Sequence, residues 1–125
     1  MRMTALTAPS NESNEHTAAD MASGMPYDSD RARSLAAVIT ALMTGQAYLT
    51  SAELASRMGP FEGFEKNRVS TMRVIHKHRE ALSEIDSAMV PMDLLHAAME
   101  VWDEAIVEGS RHGYRNAQVT LLAPT

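Results

Sequence analysis

The chain contains no cysteine. Disulfides, thiolate metal sites and cysteine nucleophiles are therefore excluded within it. Aromatic side chains are scarce, with one Trp, three Tyr and two Phe among 125 residues. Trp102, Phe61 and Phe64 are expected to anchor packing rather than to stack on a ligand. Positive charge is not in excess either. A formal net charge of −5 argues against nucleic acid or an anionic membrane as the main partner. The longest apolar run, Leu35-Ala-Ala-Val-Ile-Thr-Ala-Leu-Met43, is too short to span a bilayer. The N-terminus lacks a basic region followed by an apolar core, so no secretory signal is read and a cytoplasmic location is expected. There is no Gly-rich nucleotide loop, no Ser/His/Asp arrangement and no convincing carboxylate pair. No catalytic residue and no metal ligand are assigned.

What remains is enough for one modest domain. Residues 1–23 are rich in Ser, Thr, Asn, Ala and Glu, with few large apolar side chains. Burial there cannot offset the entropy of ordering, so a flexible tail is expected. A helix start follows at Asp28-Ser29-Asp30, with Ser29 or Asp28 as the cap and Asp30 favourable at the positive end. Leu35, Val38, Ile39, Leu42, Met43 and Leu49 keep helical spacing, and the pattern resumes at Ala52, Ala55 and Met58. The spacing predicts one long helix, costing about 1 kcal/mol at Gly45 relative to Ala and bent there, ending at Gly59-Pro60.

Gly59-Pro-Phe-Glu-Gly-Phe64 is a loop by composition. Asn67 is read as the cap of a second helix reaching to about Leu82, with Val69, Met72, Ile75 and Leu82 as its stripe. Arg73, His76, Lys77, His78 and Arg79 make that helix locally basic. They are expected to form a solvated face or a contact for an acidic neighbour. His76 and His78 are two apart, so they cannot chelate one metal from a helix. Pro91 suits the first turn of a third helix and Asp93 complements its dipole. Leu95, Ala98, Met99, Trp102, Ala105 and Ile106 form its stripe, and Gly113 stops it. His96 and Glu100 stand four apart but lack further ligands, so they read as a surface contact. Glu100, Asp103 and Glu104 are read as a solvent face. Met43, Met72 and Met99, among ten Met in all, serve adaptable packing.

The last twelve residues, Tyr114-Arg-Asn-Ala-Gln-Val-Thr-Leu-Leu-Ala-Pro-Thr125, are apolar, partly β-branched and ended by Pro. They are expected to form a short strand buried on both faces, whose hydrogen-bonding neighbours lie outside this chain. The fold class expected is mainly α: about three helices with one short C-terminal strand.

That same tail resembles a segment of adenosylcobalamin-dependent (class II) ribonucleotide reductases, which continues Gly-Thr-Ile. Upstream stretches match in the same order. They are Gly24-Met-Pro-Tyr-Asp-Ser-Asp30, Ala41-Leu-Met-Thr-Gly-Gln-Ala-Tyr48 with Thr50-Ser-Ala-Glu-Leu-Ala55, and Gly59-Pro-Phe-Glu-Gly-Phe64 leading into Arg73-Val-Ile-His-Lys-His-Arg79. The resemblance covers about residues 24–125. It implies part of a ten-stranded α/β barrel that converts ribonucleotides to deoxyribonucleotides by radical chemistry. The turn Pro-Thr-Gly-Thr-Ile would offer backbone N–H groups and hydroxyls to substrate phosphates. Only Pro124 and Thr125 of that motif are in this chain. The resemblance also suggests that Asn116 and Gln118 place polar groups beside a barrel interior.

The family's reaction needs cysteines, which this chain lacks. Inactivity of the chain alone is expected, with no cofactor of its own, while the parent family uses adenosylcobalamin. The partner expected is the remainder of a reductase chain, or a second copy pairing the C-terminal strand, with ribonucleotide bound only by the complete enzyme. Two other readings stay open. One is a standalone, non-catalytic helical binding module derived from that family, which the N-terminal Met and polar leader favour. The other is a chain that complements a second polypeptide carrying the cysteines.

Overall fold

A computed structural model of the chain describes residues 29–116. Three helices follow in order: α1, Asp30–Met58; α2, Arg68–Ser83; and α3, Met92–His112, with a single 3₁₀ turn, Ser87–Met89, before α3. Helix α3 lies at the centre. It packs mainly against α1 and secondarily against α2, and α1 and α2 barely meet.

The ends of α1 follow from local chemistry. Ser29 is extended, and its Oγ accepts a hydrogen bond from Ala32 N at 3.0 Å. Asp30 stands in the first turn, where the dipole favours an acid. At the far end Gly59 takes φ 88°, and its N–H donates to Ala55 O at 2.8 Å. Pro60 then bars continuation. Helix α1 is also long and apolar enough to cross a membrane by length and composition. The apolar run that ends at Met43 is too short for this, but the helix continues through Thr44 and Gly45. Its buried positions Leu35, Val38, Leu49 and Ala52 belong to the protein core.

Helix α2 buries only Ile75 and Leu82, two turns apart. Asn67 does precede it, but without a side-chain cap: its amide instead donates to Gly63 O at 3.0 Å. Pro91 is the N-cap of α3, one position before the first turn, with extended backbone at ψ 134°. Gly113 ends α3 at φ 79°.

The core is keyed by two glycines. A Cβ on Gly45 would lie 2.7 Å from Val101 Cγ1 and 2.8 Å from Trp102 Nε1. Only hydrogen at this position lets α3 come so near α1. Trp102, fully buried, then reaches across and its Nε1–H donates to Ala41 O at 2.8 Å. A Cβ on Gly109 would lie 2.0 Å from the Cζ and Oη of Tyr114. The Tyr114 ring therefore folds back onto α3, where its hydroxyl donates to Ala105 O at 2.8 Å. Burial pushes the phenol pKa well above its ordinary value. Tyr48 joins the two rings, 5.6 Å from Trp102 and 5.7 Å from Tyr114 between centroids. Phe64 is buried and stands edge-on to both Phe61 and Tyr114. The two Phe anchor the loop over residues 59–67.

One expectation is overturned. Among the described residues there is no strand. The expected strand over residues 114–125 begins instead with three residues of irregular backbone, of which Tyr114 belongs to the helical core. Their hydrogen bonds go to α1 and to the loop after it rather than to a neighbouring strand. The β-branched pattern suggested pairing, but Tyr114, Arg115 and Asn116, which open the segment, are held by helices. The rest of that segment, 117–125, lies outside the described residues. The described fold is all-α.

Candidate functional site

The candidate site is the seat of residues 114–116 on the end of α1. Ser51, in the second half of α1, is 2% exposed. Its carbonyl accepts from Arg115 N at 3.1 Å, and its Oγ accepts from Arg115 N at 2.9 Å and Asn116 N at 3.1 Å. The same hydroxyl donates to Asn116 Oδ1 at 3.3 Å. One buried serine thus satisfies two backbone donors and one side-chain acceptor of a non-helical segment, which fixes that segment against α1.

Arg115 secures the segment from the other side. Its Nη1 donates to Gly59 O at 2.9 Å, with Pro60 O at 3.4 Å and Met58 O at 3.5 Å also in reach. These are carbonyls left open at the end of α1, where the helix dipole favours a cation. Phe61 N donates to Tyr114 O at 2.9 Å and joins the loop to the same segment. Residues 114–116 are therefore held at three successive positions. The expected phosphate-binding residues Pro124 and Thr125 lie outside the described residues, as does Gln118. Asn116 is described and faces Ser51.

Sequence reasoning missed Ser51 and Arg115 as functional candidates. Ser51 lies in one of the stretches that carried the family resemblance, yet a serine within a helical pattern gives no sign that its hydroxyl serves a segment 65 residues away.

The basic cluster on α2 does not act as one surface. Arg79 donates from Nε to Asp103 Oδ1 at 2.7 Å and from Nη1 to Ser83 Oγ at 3.1 Å. His78 stacks on Trp102, with ring centroids 5.0 Å apart and planes 12° apart. Burial of that ring lowers its pKa below the ordinary histidine value. His76 points to solvent. Two grooves flank α1. One, of about 410 Å³, brings Glu53 of α1 beside Glu100, Asp103, Glu104 and Glu108 of α3. The other, of about 740 Å³, runs between α1 and α2 over Trp102 and is lined mainly by Ala and Thr. Among the described residues no cluster of His, Asp and Glu is grouped to hold a metal ion. The arrangement can bind and position a chain; with no cysteine it cannot perform thiol or thiyl chemistry.

Comparison with known proteins gives these features a context. A family model described as the barrel domain of ribonucleotide reductase matches residues 14–125. The vitamin B12-dependent ribonucleotide reductase of Agrobacterium fabrum is 43% identical, over 84% of this chain and 9% of its own length. That of Rhodopirellula baltica is 47% identical over 84% of this chain and 10% of its own. That of Streptomyces coelicolor is 42% identical, with 84% and 11% covered. The chain spans about a tenth of the length of these relatives.

Proposed function

The chain belongs to the ribonucleotide reductase barrel-domain family, and from that premise we propose that it is a segment of a vitamin B12-dependent ribonucleoside-diphosphate reductase. It supplies scaffold helices and carries the start of the substrate-phosphate turn, at Pro124 and Thr125. Its partner is the remainder of a reductase polypeptide, in the cytoplasm, and ribonucleotide binds only in the complete enzyme. The observation that carries this reading is the seating of residues 114–116 on Ser51 and the end of α1, in the same twelve-residue stretch of sequence as that motif.

Adenosylcobalamin in a complete reductase would generate the radical on a cysteine. The described residues do not fit the cofactor: the two grooves are flanks between helices, one lined by carboxylates and one by small side chains, and neither is a flat cavity for a corrin ring. The chain's own contribution is to hold and orient backbone. Alone it is inactive, because radical transfer and reduction need cysteines that it does not contain.

A second reading is a standalone helical binding module. The closed aromatic cluster of Tyr48, Phe64, Trp102 and Tyr114 supports it, since such a core holds a domain together without neighbours. Immunoblotting source cells with an antibody to this chain separates the two. A single large band is the result expected of a reductase segment. A band near 13.7 kDa would overturn that reading and favour the module. Turnover of ribonucleotide by the pure chain with cobalamin would overturn both.

A further inference from the structure

Helix α2 is covered on one side only. Ile75 and Leu82 are its buried residues, and Arg79 turns the same way to meet Asp103 of α3. Arg73 and Lys77 stand two positions to either side of Ile75, so helical geometry carries them to the opposite, outward face. Both are exposed, and Val74 between them is 48% exposed. A helix of 16 residues draws most of its stability from packing, yet this one leaves an apolar side chain and two cations facing water. Among the described residues no acid pairs with Arg73 or Lys77.

The matching surface lies on α3. Helix α2 carries four cations, Arg68, Arg73, Lys77 and Arg79, against one acid, Glu80. Helix α3 carries five acids, Asp93, Glu100, Asp103, Glu104 and Glu108, against one cation, Arg111. Within one chain the side chains of the two helices use this match once, at Arg79 and Asp103. Glu100 and Glu104 line the groove between α1 and α3 instead, where Glu53 joins them and Val107, 46% exposed, adds an apolar patch. Among the described residues none of these three glutamates has a paired cation. Arg73 and Lys77 are four apart on their helix, and Glu100 and Glu104 are four apart on theirs, so each pair spans about 6 Å along its axis. One chain cannot bring the two pairs together, because Arg73 and Lys77 face away from α3. We propose that a second copy of this chain does so: the outward face of α2 of one copy seats in the α1–α3 groove of the other, with Arg73 and Lys77 against Glu100 and Glu104, and Val74 over Val107. Each copy carries both surfaces, so a pair related by a two-fold axis makes the contact twice.

Sedimentation of the full chain tests this. The expected mass lies above the 13.7 kDa of one copy at low salt. Affinity should fall about tenfold or more between about 0.01 and 0.15 M ionic strength, as the screening length shrinks from about 30 to about 8 Å. Arg73→Glu with Lys77→Glu, and separately Glu100→Lys with Glu104→Lys, should each leave a single copy in solution. All four positions are exposed, so far-ultraviolet circular dichroism should be unchanged in both. Mixing the two double variants should restore association, since their reversed charges again complement each other. Arg73→Gln with Lys77→Gln, which removes charge without reversing it, should weaken association about tenfold. A parent chain that stays monomeric at low salt overturns the proposal. So does association that survives both double reversals, which places the contact elsewhere, or a mixture of the two folded variants that stays monomeric.

Discussion

Replacing Gly45 by Ala opposes two physical effects of similar size. Gly45 lies inside a helix of 29 residues, so helix propensity favours Ala by about 1 kcal/mol. Tertiary packing opposes it. The added Cβ would sit 2.7 Å from Val101 Cγ1, 2.8 Å from Trp102 Nε1 and 2.9 Å from Trp102 Cδ1. Carbon atoms in good contact stand about 3.5–4.0 Å apart, so α3 must retreat by nearly an ångström or Trp102 must leave its position. Overpacking of this kind costs about 1–3 kcal/mol. Retreat also stretches the Trp102 Nε1–H bond to Ala41 O, now 2.8 Å, and breaking that bond would leave a buried donor unpaired at a further cost of about 1–3 kcal/mol. With the hydrogen bond broken, packing wins by about 1–5 kcal/mol net. Gly45→Ala should therefore lower the midpoint of urea and thermal unfolding, followed by Trp102 fluorescence and far-ultraviolet circular dichroism. The fall in Tm is about 4 °C or more per kcal/mol for a domain of this size. A variant that is more stable than the parent by about 1 kcal/mol, as propensity alone predicts, would refute the close approach of α1 and α3.

Tyr114→Phe removes the hydroxyl from Ala105 O while keeping the ring against Gly109, and should cost about 1–2 kcal/mol in urea unfolding. An unchanged midpoint would mean that the phenol is not buried. Ser51→Ala should leave helix content unchanged but speed amide exchange at Arg115 and Asn116, while exchange in α3 stays slow; uniform acceleration would argue against a local role. His78, its pKa lowered by burial, contributes stability that is present above the ordinary histidine pKa and lost as pH falls through the folded value. Because much of His78 remains in contact with solvent the loss is small, and a His78→Gln variant should show a flatter stability profile between about pH 7 and 5. Identical profiles in both proteins would remove His78 as the source.

The helix boundaries were legible because the chemistry that sets them is local. Ser29 ahead of Asp30, Gly59 ahead of Pro60, and Gly113 after His112 each act within one turn of the end they define. Asn67 shows the limit of that logic: it occupies the capping position, but its amide is engaged by Gly63 O. The start of the C-terminal segment, residues 114–116, was misread for a related reason. An apolar, β-branched stretch reads as a strand whatever surrounds it, and no local signal revealed that Tyr114 closes over Gly109 while Ser51 takes up the amides of Arg115 and Asn116. The two grooves were likewise invisible, since each assembles residues from separate helices.

What the sequence determined alone was the set of helices, the inability of this chain to do cysteine chemistry, and the family to which it belongs. Composition and short-range periodicity suffice for the first two, because helix hydrogen bonds and caps span only a few residues, and ordered motifs along the chain carry the third. What the tertiary structure decided was the use of the small and polar residues. Gly45 looked like a flaw in a helix and is the place where Trp102 crosses. Ser51 looked like an ordinary helical serine and holds a segment distant in the chain. Such roles depend on which side chain arrives from elsewhere, and close packing leaves room for only one.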